Sequence, residues 1–183
     1  MGDIRSSWEI AQEKVDRLGD LSSEEKIKQK GELYRNIAAV LLHQYLDDKD
    51  LRPVKKELNK YTGEDGELME RILLDEFISA IDLDKQESLE LVIRGIEALS
   101  GKEEAGHGIE AVKQLYDEYQ KAREEEKQRV DDAGRQVLRD MGISGSAIGT
   151  INLYARGEWL DRLNNVTVYF KNKLESLKEE IVK

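Results

Sequence analysis

Apolar side chains recur along this chain at alternating spacings of three and four, and each run of that pattern predicts a helix with one buried face. The first run is Ile4, Trp8, Ala11, Val15 and Leu18, closed by Gly19-Asp20. Ser22 and Ser23 stand before Glu24-Glu25, an arrangement that caps a helix start, and Ile27, Tyr34, Ile37, Leu41, Leu42 and Tyr45 carry a second helix of about 24 residues. Pro53 suits the first turn of a short third helix with Val54, Leu58 and Tyr61 inward, and Thr62 to Gly66 breaks it. A fourth helix bears Leu68, Ile72, Leu73, Phe77, Ile78 and Ile81. A fifth, starting near Asp84, bears Leu89, Val92, Ile93, Ile96 and Leu99. These two are the most apolar segments and, with the second helix, are expected to form the core.

The pattern changes after the glycine-rich break from Ser100 to Gly108. From His107 to Met141 runs a helical stretch of about 35 residues, about 50 Å long at ~1.5 Å per residue. Ile109, Val112, Tyr116 and Tyr119 make one stripe on it and Val130, Ala133, Val137 and Met141 another. Between them, from Asp117 to Asp132, stand mostly charges, and this middle is expected to lie in solvent, Glu124, Glu125 and Glu126 included. The last segment offers Leu160, Leu163, Val166, Phe170, Leu174, Leu177 and Ile181, close to a heptad seam. An antiparallel hairpin with the long helix, or a coiled coil with a second subunit, buries that seam. No segment alternates in period two, so strands are not expected.

The fold class read from this is all-α: a compact helical bundle over residues 1–100, then a long charged helix and C-terminal helix over 101–183 forming a coiled-coil-like hairpin or dimer arm. The two parts can equally be one continuous domain of the 183 residues.

Composition narrows the function. Apolar residues are 39% and charged residues 37%, the net charge is −10, and there is no cysteine. Disulfides and thiolate metal sites are therefore excluded, and net negative charge disfavours non-specific nucleic-acid binding. No apolar run approaches a membrane span and the first residues lack a signal-peptide core, so a cytoplasmic location is expected. Gly2 with Ser6 fits a myristoylation pattern and Asn165-Val166-Thr167 a glycosylation sequon, both read as chance. Charge is segregated. Between Glu64 and Glu97 eleven acids face only Arg71, Lys85 and Arg94, whereas Lys49, Arg52, Lys55, Lys56 and Lys60 outnumber Asp50 and Glu57, an opposition that suggests internal or subunit-to-subunit pairing.

Candidate chemistry is sparse. Gly142-Ile-Ser-Gly-Ser-Ala-Ile-Gly149 is a glycine- and serine-rich turn expected to open another helical segment. Backbone N–H groups of Ser144, Gly145 and Ser146, with Arg139 and Arg156 near in sequence, can bind a phosphate or carboxylate there. The plainer reading is a reversal, with Gly142 capping the long helix and Ser144 the next. Its spacing fits neither the P-loop nor the dinucleotide fingerprint. Glu104-Ala-Gly-His107 is a single Glu-x-x-His, where di-iron bundles use two. His43 is the other histidine, Asp82, Asp84 and Gln86 meet Glu87 where a calcium loop needs glycine, and no nucleophile motif accompanies either histidine. No catalytic residue, metal site or cofactor is expected. Trp159, Leu163, Phe170 and Leu174 are the expected partner interface, Trp159 because aromatics are favoured at such surfaces.

The opening Ile4-Arg5-Ser6-Ser7-Trp8-Glu9-Ile10-Ala11 and the turn Gly142-Ile143-Ser144-Gly145-Ser146-Ala147 resemble a family of small bacterial helical proteins. The resemblance implies a bacterial cytoplasmic origin and carries no activity and no site residue. The expected function is thus that of a non-enzymatic helical interaction or scaffold protein, a homodimer or the partner of another protein. Regulation by an anion at Gly142–Gly149 is the alternative.

Overall fold

The computed structural model describes residues 23–100, 106–143, 145, 148–152 and 156–181. Among them the regular elements are helices: α1 Ser23–Asp48, α2 Arg52–Leu58, α3 Glu64–Ser79, α4 Gln86–Ser100, α5 Gly106–Asp140 and α6 Gly157–Ile181. The expected helix over Ile4 to Leu18 and the Ser22 cap lie outside the described residues, as does Glu104. The chain divides into two units, the first ending at Gly106 and the second running from His107 to Ile181.

In the first unit α1 packs chiefly along α3, and α3 along α4. Tyr34, Ile37, Ala38, Leu41, Leu42 and Tyr45 form the buried stripe of α1, repeating at three and four as one helix face must. Tyr45 crosses to α4 and donates a 2.8 Å hydrogen bond to the Leu91 carbonyl. Its ring lies 5.5 Å from that of Phe77 on α3. Gly95 makes this junction possible, since a Cβ there would fall 2.0 Å from Phe77. Met69 and Leu91, absent from the expected core, are buried with it.

The connections are short and specified locally. Lys49 ends α1 with φ +57, and Asp50 accepts the Arg52 backbone N–H at 2.9 Å where α2 begins, with Pro53 in its first turn. The break expected from Thr62 to Gly66 is shorter than that. Gly63, at φ +60, is already the cap of α3, and Glu64, Asp65 and Glu67 occupy its first turn, where the helix dipole favours acids. Between α3 and α4, Asp82 accepts the Asp84 N–H at 3.0 Å, and Ile81 and Leu83 stay buried.

The second unit is an antiparallel hairpin. Contacts pair the start of α5 with the end of α6 and so on along both. A Cβ on Gly108 would lie 2.4 Å from Ile181, Tyr119 stacks 5.5 Å from Phe170, and a Cβ on Gly134 would lie 3.1 Å from Trp159. Burial on α5 follows Ile109, Val112, Leu115, Tyr119, Glu126, Val130 and Gly134. Tyr116, expected inward, yields to Leu115. Met141, expected on the stripe, lies past the helix end and is exposed. Among the described residues no helix is long and apolar enough to cross a membrane.

Candidate functional site

The glycine- and serine-rich turn is built by the end of α5. Gly142, at φ +81, donates to the Arg139 carbonyl at 2.9 Å, and Ile143 donates to the Leu138 carbonyl at 2.9 Å. These two bonds form a Schellman motif, the usual way a glycine closes a helix. Where the turn is expected to open another helical segment, Gly145 carries a short helical turn, with Ile148 N–H bonded to its carbonyl at 3.1 Å, and α6 begins at Gly157. Gly142 and Ile143 therefore sit at the carbonyl end of α5, whose partial charge is negative and disfavours an anion. Ser144 and Ser146 lie outside the described residues. Arg139 is exposed in the last turn of α5, and Arg156 stands 5.3 Å from the Trp159 ring. Arg135 is committed to Asp131 at 2.5 Å, which holds its guanidinium above its ordinary pKa.

The polar middle of α5 departs from expectation at one residue. Glu124 and Glu125 are exposed, but Glu126 is only 7% exposed. One of its oxygens accepts Arg162 Nε from α6 at 2.6 Å and the other accepts Arg129 Nη1 at 3.1 Å. Glu118 and Lys173 add a 4.0 Å pair across the hairpin, and Tyr119 Oη lies 3.3 Å from Thr167 Oγ1. The sequence signal for Glu126 was present, because it lies seven residues after Tyr119 and four before Val130, on the stripe itself. Its charge hid it.

The richest polar cluster of the first unit went unforeseen, because it joins three helices. Lys30 pairs with Asp65, Lys60 with Glu57 at 2.7 Å, and Tyr34 and Tyr61 meet edge to face at 5.2 Å. Burial, then the Asp65 charge, pushes the Tyr34 phenol well above its ordinary pKa; burial, then Glu57, pushes Tyr61 up to about 12. Tyr61 Oη and Glu57 Oε1 are buried without a hydrogen-bond partner. Two cations already balance two carboxylates here, so the cluster presents no surplus charge to a charged ligand.

The histidines do not converge on anything. His43 Nδ1 lies 3.3 Å from Asp47 on the exposed side of α1, and His107 is exposed in the first turn of α5. Among the described residues no three acidic, histidine or cysteine side chains gather as metal ligands would.

The expected partner interface is used within the chain. Trp159, Phe170 and Leu174 are buried and Leu163 is half-buried; Trp159 and Phe170 pack against α5. The large apolar side chains that α6 leaves exposed are instead Leu160, Val168 and Tyr169, with the Lys173 ammonium 4.8 Å over the Tyr169 ring. No family model, curated protein or solved structure matches the chain. The likeness of residues 4–11 and 142–147 to small bacterial helical proteins thus gains no family from comparison.

Proposed function

We propose that this chain is a non-enzymatic helical interaction protein that self-associates and acts by presenting surface, in the cytoplasm. The observation that supports it most is the adjacent pair Val168 and Tyr169, 55% and 54% exposed midway along α6. Single exposed apolar residues are ordinary, but two together on the middle turn of a braced helix are what a partner covers. The bracing matters, since a hairpin held at Glu126, Tyr119 and Gly134 presents that surface without first paying to order it.

The self-association reading moves the partner face from the Trp159, Leu163, Phe170 and Leu174 stripe to the opposite side of the same helix. Mixing isotopically light and heavy copies of the full chain and cross-linking surface amines tests it. Peptides joining a light to a heavy copy are the expected product. Cross-links confined to single copies across micromolar concentrations contradict the proposal.

A further inference from the structure

We infer that the opening turns of α1 seat a segment of this same chain, the amphipathic stretch Ile4 to Leu18, packed antiparallel against Ile27 and Gly31; this stands apart from the self-association proposed above. Ile27 continues the buried stripe of α1, since it lies seven residues before Tyr34, eleven before Ala38 and eighteen before Tyr45, spacings that keep to one helix face. Those three residues are at most 3% exposed, whereas Ile27 is 67% exposed. The stripe outruns its cover. Asp65, in the first turn of α3, pairs with Lys30, so α3 meets α1 nearly one turn past Ile27.

Gly31 is the second sign that something packs here. Inside its other helices this chain places glycine where a neighbour comes close. A Cβ on Gly66 would lie 3.1 Å from the Tyr61 carbonyl oxygen, one on Gly95 2.0 Å from Phe77, one on Gly108 2.4 Å from Ile181 and one on Gly134 2.7 Å from Ile151. Around Gly31, one turn after Ile27, nothing among the described residues lies within 4 Å. A glycine weakens a helix, and open space gives no reason for one.

The tether selects the occupant. Ile4, Trp8, Ala11, Val15 and Leu18 lie outside the described residues, and their spacing makes an apolar stripe that needs cover. Only residues 19–22 separate its end from Ser23, where α1 begins. Four residues span at most about 14 Å and suit the reversal of a helical hairpin, with Gly19-Asp20 as the break. A second copy has to be recruited from solution, whereas a short tether holds this segment beside Ile27 at an effective concentration of about millimolar. A reversal centred on residue 21 sets Val15 against Ile27 and Ala11, the smallest residue of its stripe, against Gly31. Two small residues at one level let the two backbones approach closely, which accounts for the glycine.

The absence of cysteine makes the test direct. Full-length chain carrying Val15→Cys and Ile27→Cys is oxidised mildly at low micromolar concentration. The expected product is a disulfide within one chain, formed several-fold faster than in the control pair Val15→Cys with Val40→Cys. Val40 is 63% exposed but lies off the stripe and ~20 Å further along α1. No disulfide, equal rates in the two pairs, or disulfides that join separate chains overturn the inference, the last by giving the seat to a second copy. Gly31→Leu in the otherwise unaltered chain reads the same contact without cysteine. Leucine is the better helix former, so on an open face it raises the melting temperature; against Ala11 its side chain collides, and a melting temperature lowered by several degrees is expected. A raised or unchanged melting temperature overturns the inference.

Discussion

At position 126 a carboxylate occupies a place in the hairpin seam where the three-and-four spacing asks for an apolar side chain, and two arginines make that tolerable. Glu126→Ala is expected to cost about 1–3 kcal/mol, the range for losing charge-assisted hydrogen bonds when the arginines, themselves part-exposed, can return to water. Denaturant unfolding of Glu126→Ala beside Glu124→Ala, expected within ~0.5 kcal/mol of wild type, checks it. Equal effects would remove Glu126 from the account. At Gly95 the balance is steric. Alanine gains about 1 kcal/mol of helix propensity, but its Cβ meets buried Phe77, and overpacking of about 1–3 kcal/mol should win; a raised melting temperature would contradict this.

Tyr61 makes a prediction in pH. Its pKa rises from 10.0 unfolded to about 12 folded, so the folded state prefers the protonated phenol. That contribution is whole below pH 10, declines as the unfolded phenol ionises, and is lost above about pH 12. Tyr61→Phe removes this titration and a buried hydroxyl with no partner. It should unfold less steeply between those pH values and be no less stable at neutral pH. The slope will not vanish, because burial also raises Tyr34 and Tyr45. An unchanged slope, or a clear loss at neutral pH, would show that the hydroxyl has a role its surroundings do not reveal.

Among the elements, α1 to α6 were legible wherever apolar spacing and a local stop signal coincide. Pro53 marks α2, and Gly142 marks the end of α5. What spacing does not settle is which of two adjacent apolar residues turns inward, since that depends on the helix opposite. Met69 beside Leu68, and Leu115 beside Tyr116, are such choices. Gly95 was invisible for the same reason, because a glycine in a helix declares nothing until Phe77 is placed against it. The turn at Gly142–Gly149 was legible in its plainer sense: two backbone bonds make Gly142 the cap of α5, as the glycine after the last apolar residue of the stripe suggests. Gly142→Ala forces a left-handed φ on a side chain and should cost about 1–2 kcal/mol in thermal unfolding; no loss would mean the cap is dispensable.

At the scale of the molecule, the candidate interface was legible only as a helix and not as a face. The apolar stripe of α6 pointed to Trp159 and Phe170, which pack against α5, and to Leu174, which is buried, while the side left over carries the exposed pair Val168 and Tyr169 among polar and charged residues. That exposed pair becomes visible only once the buried side of α6 is known. The central claim is that this chain works as a self-associated helical surface. Light scattering on the full chain, from micromolar to near-millimolar concentration, measures it most directly. The predicted mass rises to twice the 21.0 kDa of one chain, and a mass that stays at one chain throughout contradicts the claim.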